Sequence, residues 1–383
     1  MIPYSHQSIS KTDIDTVVKV LNSDFLTQGK EVPNFEASVC EYTGSKYACA
    51  VNSATSALHI ACLAMGLNQN DILWTTPISF VASANCGLYC GAKVDFVDID
   101  PLTWNISLEK LELKLVKAKN EGLLPKVIVA VHLCGLSCDM KSMRKLSVKY
   151  GFKVLEDASH AIGGEFESNR IGSCEFSDAA VFSFHAIKGI TTGEGGMVLT
   201  NDDEILDKLM LLRNHGISRD ESLMTHLSHG PWYYQQITLG FNYRMTDIQA
   251  ALGRSQLTRL DSFISKRHEL ANIYDENLSD LPLKFQRNEF DSYSGMHLYV
   301  VRLNSFNKSR KEIFETLRSR KIGVNVHYIP IHLQPFYKQF GFTEGQFPES
   351  ELYYKEAISL PIYPDLTDKS LKKVIDTLRF VFE

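Results

Sequence analysis

The chain has 383 residues, of which 44% are hydrophobic and 22% are charged, a composition typical of a globular protein and not of a disordered one. A single hydrophobic core stops growing at about 250–300 residues, so the length predicts one large and one smaller domain. The formal net charge of −5 creates no positive field for nucleic acid or for an anionic membrane surface, and we expect neither as a partner.

The start of the chain and its cysteines indicate the compartment. The sequence begins MIPYSHQSIS, which lacks the basic start and apolar stretch of a secretory signal, and no run of about 18 apolar residues occurs later. The eight cysteines stand mostly in apolar runs, without the CxxC pairs or Cys/His quartets of zinc sites. We therefore expect a cytoplasmic protein with reduced thiols and no bound metal.

From residue 47 to residue 200, short apolar runs alternate with segments of helical period, which is the pattern of a parallel sheet with crossover helices. The predicted strands are YACAV (47–51), ILWT (72–75), KVDFVD (93–98), KVIVAV (126–131), FKVLE (152–156), DAAVFSF (178–184) and GMVLT (196–200). In the intervening segments apolar residues recur three or four positions apart, often with a glycine after the last turn. We therefore predict an α/β fold with a mostly parallel seven-stranded sheet.

A segment rich in Gly, His and aromatic residues (213–243) interrupts this alternation, and a helical stretch from Thr246 to Asp280 follows it. The remaining sequence mixes strand and helix patterns in HLYVVRL, KSRKEIFETLRSR, VNVHYIPIH and DKSLKKVIDTLRFVF. These patterns predict a large domain over residues 1–250 and a small α+β domain over residues 251–383, which begins with a linking helix.

The motifs of two common classes of nucleotide-binding protein are missing. No GxGxxG follows a strand and no GxxxxGK[ST] occurs, which argues against NAD and P-loop chemistry. The sequence instead places Lys188 in FSFHAIKGITTGEGG, directly after a strand and before glycines that let the backbone approach a ligand closely. Because a lysine is more often a solvated surface charge, its neighbours decide the interpretation.

Asp157, in VLEDASHA, supplies the second part of a catalytic pair. It stands at the C-terminal end of an apolar strand, where open α/β sheets bind ligands, although an aspartate there is often only a helix cap. Opposite a pyridine ring, the carboxylate keeps the ring nitrogen protonated, so that the ring accepts the electrons of a carbanion. Lys188 and Asp157 therefore predict a pyridoxal 5′-phosphate (PLP) enzyme that holds its cofactor as a Schiff base on Lys188.

The segment NSATSALH offers a place for the cofactor phosphate. Ala54, Thr55 and Ser56 open a helix after a strand, and the free amides and dipole of a helix N-terminus favour an anion, although small hydroxyl residues also serve as plain N-caps. Phe80, in PISF, begins the next helix and is a candidate to cover one face of the cofactor ring. Core packing is the alternative for this aromatic side chain.

The chain contains five motifs in one order: NSATSAL, PISFVAS, EDASHA, FSFHAIKGITTGEGG and GFNYRMTDIQAALG. Over nearly the whole chain this set resembles the DegT-type sugar-nucleotide aminotransferases. The resemblance implies PLP-dependent transferase fold type I, PLP as cofactor and transfer of an amino group to a nucleotide sugar. It also implies that Lys188 forms the Schiff base, that Asp157 contacts the pyridine nitrogen and that Phe80 stacks on the ring. His160 stands where most members have Gln beside the ring hydroxyl.

The same resemblance implies how the phosphate is bound. Thr55 and Ser183 resemble the phosphate ligands of the family, with the backbone of Ala54 and Ser56 nearby. Asn242, in GFNYRMTD, resembles the residue that reaches the phosphate from the neighbouring subunit. The family pattern thus implies a homodimer in which each active site uses residues of both chains.

Two segments narrow the expected substrate. HGPWYYQQITLGFNYRMTDIQ and VNVHYIPIHLQPFYK resemble family members of pseudaminic acid biosynthesis, which move the amino group of L-glutamate to C4 of a UDP-linked 4-keto-6-deoxy-N-acetylhexosamine. His327 and Tyr328 are then expected substrate contacts. Alternatives are amination at C3 or C4 of another nucleotide-linked keto sugar and a non-catalytic PLP-binding regulator. The related PLP sugar dehydratases carry His at the position of the lysine, so Lys188 argues against them.

Overall fold

The structure, a computed structural model, describes residues 1–304 and 308–382. The strands are β1 (Tyr47–Val51), β2 (Ile72–Thr75), β3 (Lys93–Phe96), β4 (Val127–Val131), β5 (Lys153–Asp157), β6 (Glu165–Phe166), β7 (Asn169–Arg170), β8 (Ala179–Ser183), β9 (Gly196–Thr200), β10 (Ile217–Ser218), β11 (Gln235–Gln236), β12 (Leu283–Phe285), β13 (Ser292–Tyr293), β14 (Tyr299–Leu303) and β15 (Ala357–Leu360). The α-helices are α1 (Lys11–Leu21), α2 (Glu31–Thr43), α3 (Ala54–Ala64), α4 (Ala82–Tyr89), α5 (Leu108–Glu121), α6 (Met140–Tyr150), α7 (Asp203–Arg213), α8 (Asp247–Leu257), α9 (Leu260–Leu278), α10 (Arg310–Ser319), α11 (Pro335–Lys338), α12 (Pro348–Glu356) and α13 (Asp368–Phe382).

The central sheet has seven strands in the order β1-β9-β8-β5-β4-β2-β3. Neighbours from β3 to β8 pair in parallel, whereas β9 runs antiparallel to both β1 and β8. β4, β8 and β9 are buried along their whole length, as expected for strands that are covered on both faces. The predicted fold, a mostly parallel seven-stranded sheet with helices, is confirmed.

The strand predicted over residues 93–98 is shorter in the structure and ends at Phe96. The reason is that Asp98 is engaged outside the sheet. Its carboxylate accepts hydrogen bonds from the amide and hydroxyl of Ser350, at 2.9 and 2.6 Å, and pairs with Lys110 at 3.0 Å. These contacts attach the end of this strand to α12.

The helical stretch predicted over residues 246–280 consists of two helices, because α8 ends at Leu257 and α9 begins at Leu260. Between them, the hydroxyl of Thr258 donates to the carbonyl oxygen of Ser255 at 2.7 Å. Such a local side-chain bond competes with the backbone ladder of a helix. The predicted linking helix is thus a pair of helices, and the domain boundary at residue 250 stays a prediction.

A second, antiparallel sheet in the order β12-β14-β15 shares a hydrophobic cluster with α9, α10 and α13. The first residues of the chain pack beside this sheet, since Ile2 forms an isolated bridge with Ile322 and the amide of Ile362 donates to the carbonyl oxygen of Tyr4 at 3.1 Å. The N-terminal segment therefore packs beside C-terminal elements. None of the helices in the described part of the chain is long and apolar enough to cross a membrane.

Candidate active site

A cavity of about 540 Å³ opens at the carboxyl ends of β4, β5 and β8, the edge at which open α/β sheets bind ligands. The strands place their last residues, Val131, Asp157 and Ser183, in its wall. The wall includes these residues that the sequence singled out: Ala54, Thr55, Phe80, Asp157, His160, Ser183, Lys188, His327 and Tyr328. Residues at the end of the central sheet thus meet residues 325–328, which adjoin β15 through the bridge between Asn325 and Ser359.

Lys188 lies in the loop between β8 and β9, where its amide donates to the carbonyl oxygen of His185 at 2.9 Å. Its Nζ forms no hydrogen bond or ion pair with any residue in the described ranges. Burial lowers the pKa of Lys188 to about 8, although the charge of Asp157 acts in the opposite direction. The amine therefore loses its proton far more readily than an exposed lysine does.

Asp157 is buried at the end of β5, and three donors orient its carboxylate. Oδ1 accepts from the amide and the hydroxyl of Ser159, at 3.2 and 2.6 Å. Oδ2 accepts from the hydroxyl of Ser83 at 2.5 Å, and Ser83 is itself 2.6 Å from the hydroxyl of Ser79. Because both oxygens are held, the carboxylate has one fixed orientation in the cavity wall.

The N-terminus of α3 forms another part of the wall. Ser53 is the N-cap, and its hydroxyl accepts from the amide of Ser56 at 3.1 Å, whereas the amides of Ala54 and Thr55 have no acceptor among residues 1–304 and 308–382. A Cβ at Gly196 would lie 2.5 Å from the nitrogen of Ala54, so glycine is what allows β9 to approach this helix end. With Thr55 and Ser183 in the same wall, the arrangement suits a phosphate group.

Phe80 is 59% exposed and is not part of the hydrophobic core, although core packing was the alternative for this residue. Its ring centroid lies 6.3 Å from that of Tyr328. Both aromatic residues line the same cavity as Asp157. A flat aromatic ligand would cover apolar surface of Phe80 that the protein itself leaves exposed.

His160 is buried beside Tyr328, whose hydroxyl lies 3.1 Å from His160 Nε2. Within the described part of the chain its Nδ1 is buried without a partner, as is Nδ1 of His297, and the two imidazole rings lie 4.6 Å apart. Burial, reinforced by the charge of Lys188, holds the pKa of both histidines well below the ordinary value. Two neutral imidazoles with unused nitrogen atoms therefore lie next to the lysine.

The structure does not bring two of the expected cofactor residues into this cavity. The hydroxyl of Ser56 donates to Oδ1 of Asn52 at 2.7 Å, and its amide is bonded to Ser53. Asn242 is exposed outside the cavity wall of its own chain, and its carbonyl oxygen accepts from Asn52 Nδ2 at 3.5 Å. Neither side chain reaches the cavity within one chain.

Sequence reasoning missed several residues that line or support the site, among them Tyr4, Ser83, His297 and Asn325. Ser83 lies inside the motif PISFVAS, so a search for a donor to Asp157 within the motifs offered a signal for it. Asn325 lies two residues before His327 in VNVHYIPIHLQPFYK and His297 begins HLYVVRL, but neither pattern marks them as site residues, and Tyr4 lies outside the quoted segments. Only their contacts in the folded chain identify them.

The residues present fit PLP. The unpaired amides of Ala54 and Thr55 suit its phosphate, and the exposed face of Phe80 suits its ring. The oriented carboxylate of Asp157 suits the ring nitrogen, while the unpartnered Nδ1 of His160 offers a hydrogen-bonding group for a polar substituent. The unpaired amine of Lys188 suits the cofactor aldehyde.

Comparison with known proteins also indicates an aminotransferase. The sequence matches the model of the DegT/DnrJ/EryC1/StrS aminotransferase family over residues 7–379. UDP-4-amino-4,6-dideoxy-N-acetyl-beta-L-altrosamine transaminase from Campylobacter jejuni subsp. jejuni serotype O:2 is 41% identical over 387 aligned residues, which cover 100% of this chain and 98% of the relative.

Solved structures agree closely in fold. Helicobacter pylori PseC, an aminotransferase involved in the biosynthesis of pseudoaminic acid, superposes with a TM-score of 0.90 at 36% identity and covers 100% of this chain and 99% of its own. The PLP-form of the putative sugar aminotransferase Spr1654 from Streptococcus pneumoniae has a TM-score of 0.87 at 27% identity, covering 99% of this chain and 98% of its own.

Proposed function

The chain belongs to the DegT/DnrJ/EryC1/StrS aminotransferase family, and we propose that it transfers the amino group of L-glutamate to C4 of a UDP-linked 4-keto-6-deoxy-N-acetylhexosamine. The product is UDP-4-amino-4,6-dideoxy-N-acetyl-β-L-altrosamine, an intermediate of pseudaminic acid biosynthesis, and PLP is the cofactor. The observation that carries this proposal is the meeting of Lys188 and Asp157 in one cavity with an anion-binding helix end. We also propose a cytoplasmic location.

Different cavity residues would bind different parts of PLP. The amides of Ala54 and Thr55, with the hydroxyl of Ser183, would hold the phosphate, and Phe80 would cover one face of the ring. The carboxylate of Asp157 would accept a hydrogen bond from the protonated ring nitrogen and so keep it protonated. When bound, PLP supplies an electron sink for the carbanion that forms at the carbon bearing the amine.

Lys188 carries out the proton transfers. Its Nζ would hold the cofactor covalently until the amino donor displaces it, and the freed amine would then move a proton between Cα of the donor and C4′ of the cofactor. With the keto sugar the same nitrogen would return the proton in the opposite direction. A pKa of about 8 keeps a useful fraction of this amine unprotonated near neutral pH, which a general base requires.

We propose that the working enzyme is a homodimer in which Asn242 serves the active site of the partner subunit. Asn242 is exposed outside the cavity of its own chain, so a second chain is needed to bring it to a phosphate. The segment before it exposes large apolar side chains, among them Leu227 at 89% and Trp232 at 72%. Exposed apolar surface of this kind is typical of an interface.

The test is a panel of nucleotide-linked keto sugars offered with L-glutamate to the purified PLP-loaded enzyme. The expected result is amination of the UDP-linked 4-keto-6-deoxy-N-acetylhexosamine at C4, with the configuration of the product determined by NMR. Preference for a 3-keto sugar or another nucleotide would favour the alternative substrate class. A protein that binds PLP but converts none of the sugars, and whose absorbance does not respond to glutamate, would be the non-catalytic regulator.

A further inference from the structure

Tyr4, Asn325 and His327 form one side of the cavity, and Tyr4 and Asn325 have no place in the expected site. The ring of Tyr4 lies 5.4 Å from that of His327, and Nδ2 of Asn325 lies 3.3 Å from His327 Nε2. The side chain of Asn325 also lies close enough to the phenol of Tyr4 to oppose the rise of its pKa that burial causes. The three side chains are therefore close neighbours in one wall of the cavity.

The N-terminal segment places Tyr4 in this wall. Ile2 exchanges backbone hydrogen bonds with the chain around Gly323, and a Cβ at Gly323 would lie 2.8 Å from the carbonyl oxygen of Ile2. On the other side of Tyr4, the hydroxyl of Ser5 donates to the carbonyl oxygen of Ile187 at 3.3 Å. Tyr4 is thus held between the small sheet and the loop that carries Lys188.

The directions of the hydrogen bonds that join Asn325, His327 and Ser359 follow from the orientation of the Asn325 amide. Oδ1 of Asn325 accepts from the amide of Val326 at 2.9 Å, so Nδ2 is the end that faces His327. Because an amide nitrogen only donates, His327 Nε2 is the acceptor and Nδ1 carries the hydrogen, which it donates to Ser359 Oγ at 2.7 Å. Burial lowers the pKa of His327 to about 4, which agrees with a neutral imidazole.

The same logic orients the phenol of Tyr4. The side chain of Asn325 partly offsets the rise of the Tyr4 pKa that burial causes, as a donor facing the phenol oxygen does. The phenol hydrogen has no acceptor among residues 1–304 and 308–382, and Tyr4 lines the cavity. The hydroxyl is therefore available to donate to a ligand in the cavity.

We propose that Tyr4 is a substrate-binding residue that donates a hydrogen bond to an oxygen of the keto sugar, and that Asn325, His327 and Ser359 act as positioning residues that hold it in the donating orientation. This inference rests on the proposed function and identifies which of the two substrates the wall recognises. It assigns Tyr4 to the second half of the reaction, after glutamate has delivered its amine.

The lack of charge in this wall favours binding of the sugar over binding of glutamate. Tyr4, Asn325 and His327 are neutral, and none of them supplies the cationic partner that makes a strong hydrogen bond to a carboxylate. Neutral donors match the hydroxyl, carbonyl and acetamido oxygens of a sugar, which carry no charge. Binding of the sugar would then depend on Tyr4 while binding of glutamate would not.

The experiment compares Tyr4→Phe with the wild-type holoenzyme in each half-reaction separately. The reaction with L-glutamate alone is followed by the change in cofactor absorbance. The second half-reaction is followed by the return of the original absorbance after the keto sugar is added. We expect the glutamate half-reaction to stay within about twofold of wild type, while KM for the sugar rises roughly fivefold to tenfold, as for loss of one neutral hydrogen bond. Tyr150→Phe, which alters a tyrosine outside the cavity, is the matched control and should change neither.

Ser359→Ala tests the positioning role, because Ser359 is buried and is not part of the cavity wall. It should raise KM for the sugar about threefold, which is less than Tyr4→Phe, and should leave kcat and the glutamate half-reaction unchanged. An equal loss in both half-reactions, or an unchanged KM for the sugar in Tyr4→Phe, would overturn the inference while leaving the proposed function intact. A wild-type enzyme that aminates no keto sugar would overturn the proposed function itself.

Discussion

The hydroxyl of Ser83 lies 2.5 Å from Oδ2 of Asp157. Ser83 belongs to α4, three residues after Phe80, so one short segment carries both the aromatic ring of the cavity wall and a donor to the carboxylate. The position of the carboxylate relative to Phe80 is thereby set by a single turn of chain.

Asp157→Asn should keep the cofactor but lose at least about 100-fold in the rate of both half-reactions. The amide preserves the shape of the side chain and removes the charge that favours a protonated ring nitrogen. Ser83→Ala, which keeps the charge and removes one donor, is the control and should retain most of the activity. Single-turnover rates with glutamate measure both variants, and a normal rate in Asp157→Asn would mean that this carboxylate has only a structural role.

Lys188→Ala and Lys188→Arg should abolish both half-reactions, because no other group among the described cavity residues offers an unpaired primary amine. In the wild-type holoenzyme, borohydride reduction followed by peptide mapping should find the cofactor on the peptide that contains Lys188. Lys141→Ala, which changes an exposed lysine, is the control. It should carry the reduced cofactor on the same peptide as the wild type and should catalyse both half-reactions at the wild-type rate. Label on a different lysine would refute the assignment.

Lys188→Met should stabilise the cofactor-free protein at pH 7 by about 1–3 kcal/mol. The pKa of Lys188 falls from 10.5 to about 8 on folding, so below pH 8 the lysine is charged in both states and its burial destabilises the fold. Between pH 8 and 10.5 the folded state loses the proton first, so wild-type stability rises with pH and the advantage of the variant shrinks. Urea denaturation of both proteins at pH 7 and pH 10 measures this difference, and an advantage that grows with pH would contradict the assignment.

Two inactive variants should restore activity when their chains are mixed. Asn242→Asp should be inactive because its carboxylate repels the cofactor phosphate of the partner subunit, and Lys188→Ala should be inactive in its own chain. After dissociation and reassembly, about half of the dimers are mixed and each holds one intact site, so about a quarter of wild-type activity should return. If Asn242 served its own chain, every site would carry one lesion and the mixture would stay inactive.

The sequence by itself determined the seven strands of the central sheet and the set of motifs around the cavity. Apolar runs and helical periods are local properties, and they specify where strands and helices form regardless of how they are later arranged. Ser183 was identified through the family resemblance, whereas Lys188 and Asp157 were accessible to sequence reasoning for a related reason. Each follows or ends a predicted strand, and the carboxyl ends of parallel strands lie at one edge of a sheet.

Only the tertiary structure decided the strand order, the antiparallel direction of β9 and the break between α8 and α9. It also brought Tyr4, from the start of the chain, against Asn325 near its end, and placed His297 beside His160. These contacts join residues that are far apart in sequence, so no local pattern reports them. The chemistry of the lysine and the carboxylate was therefore readable from motifs, whereas the neutral hydrogen-bonding wall depends on which distant segments the packing of the two sheets brings together.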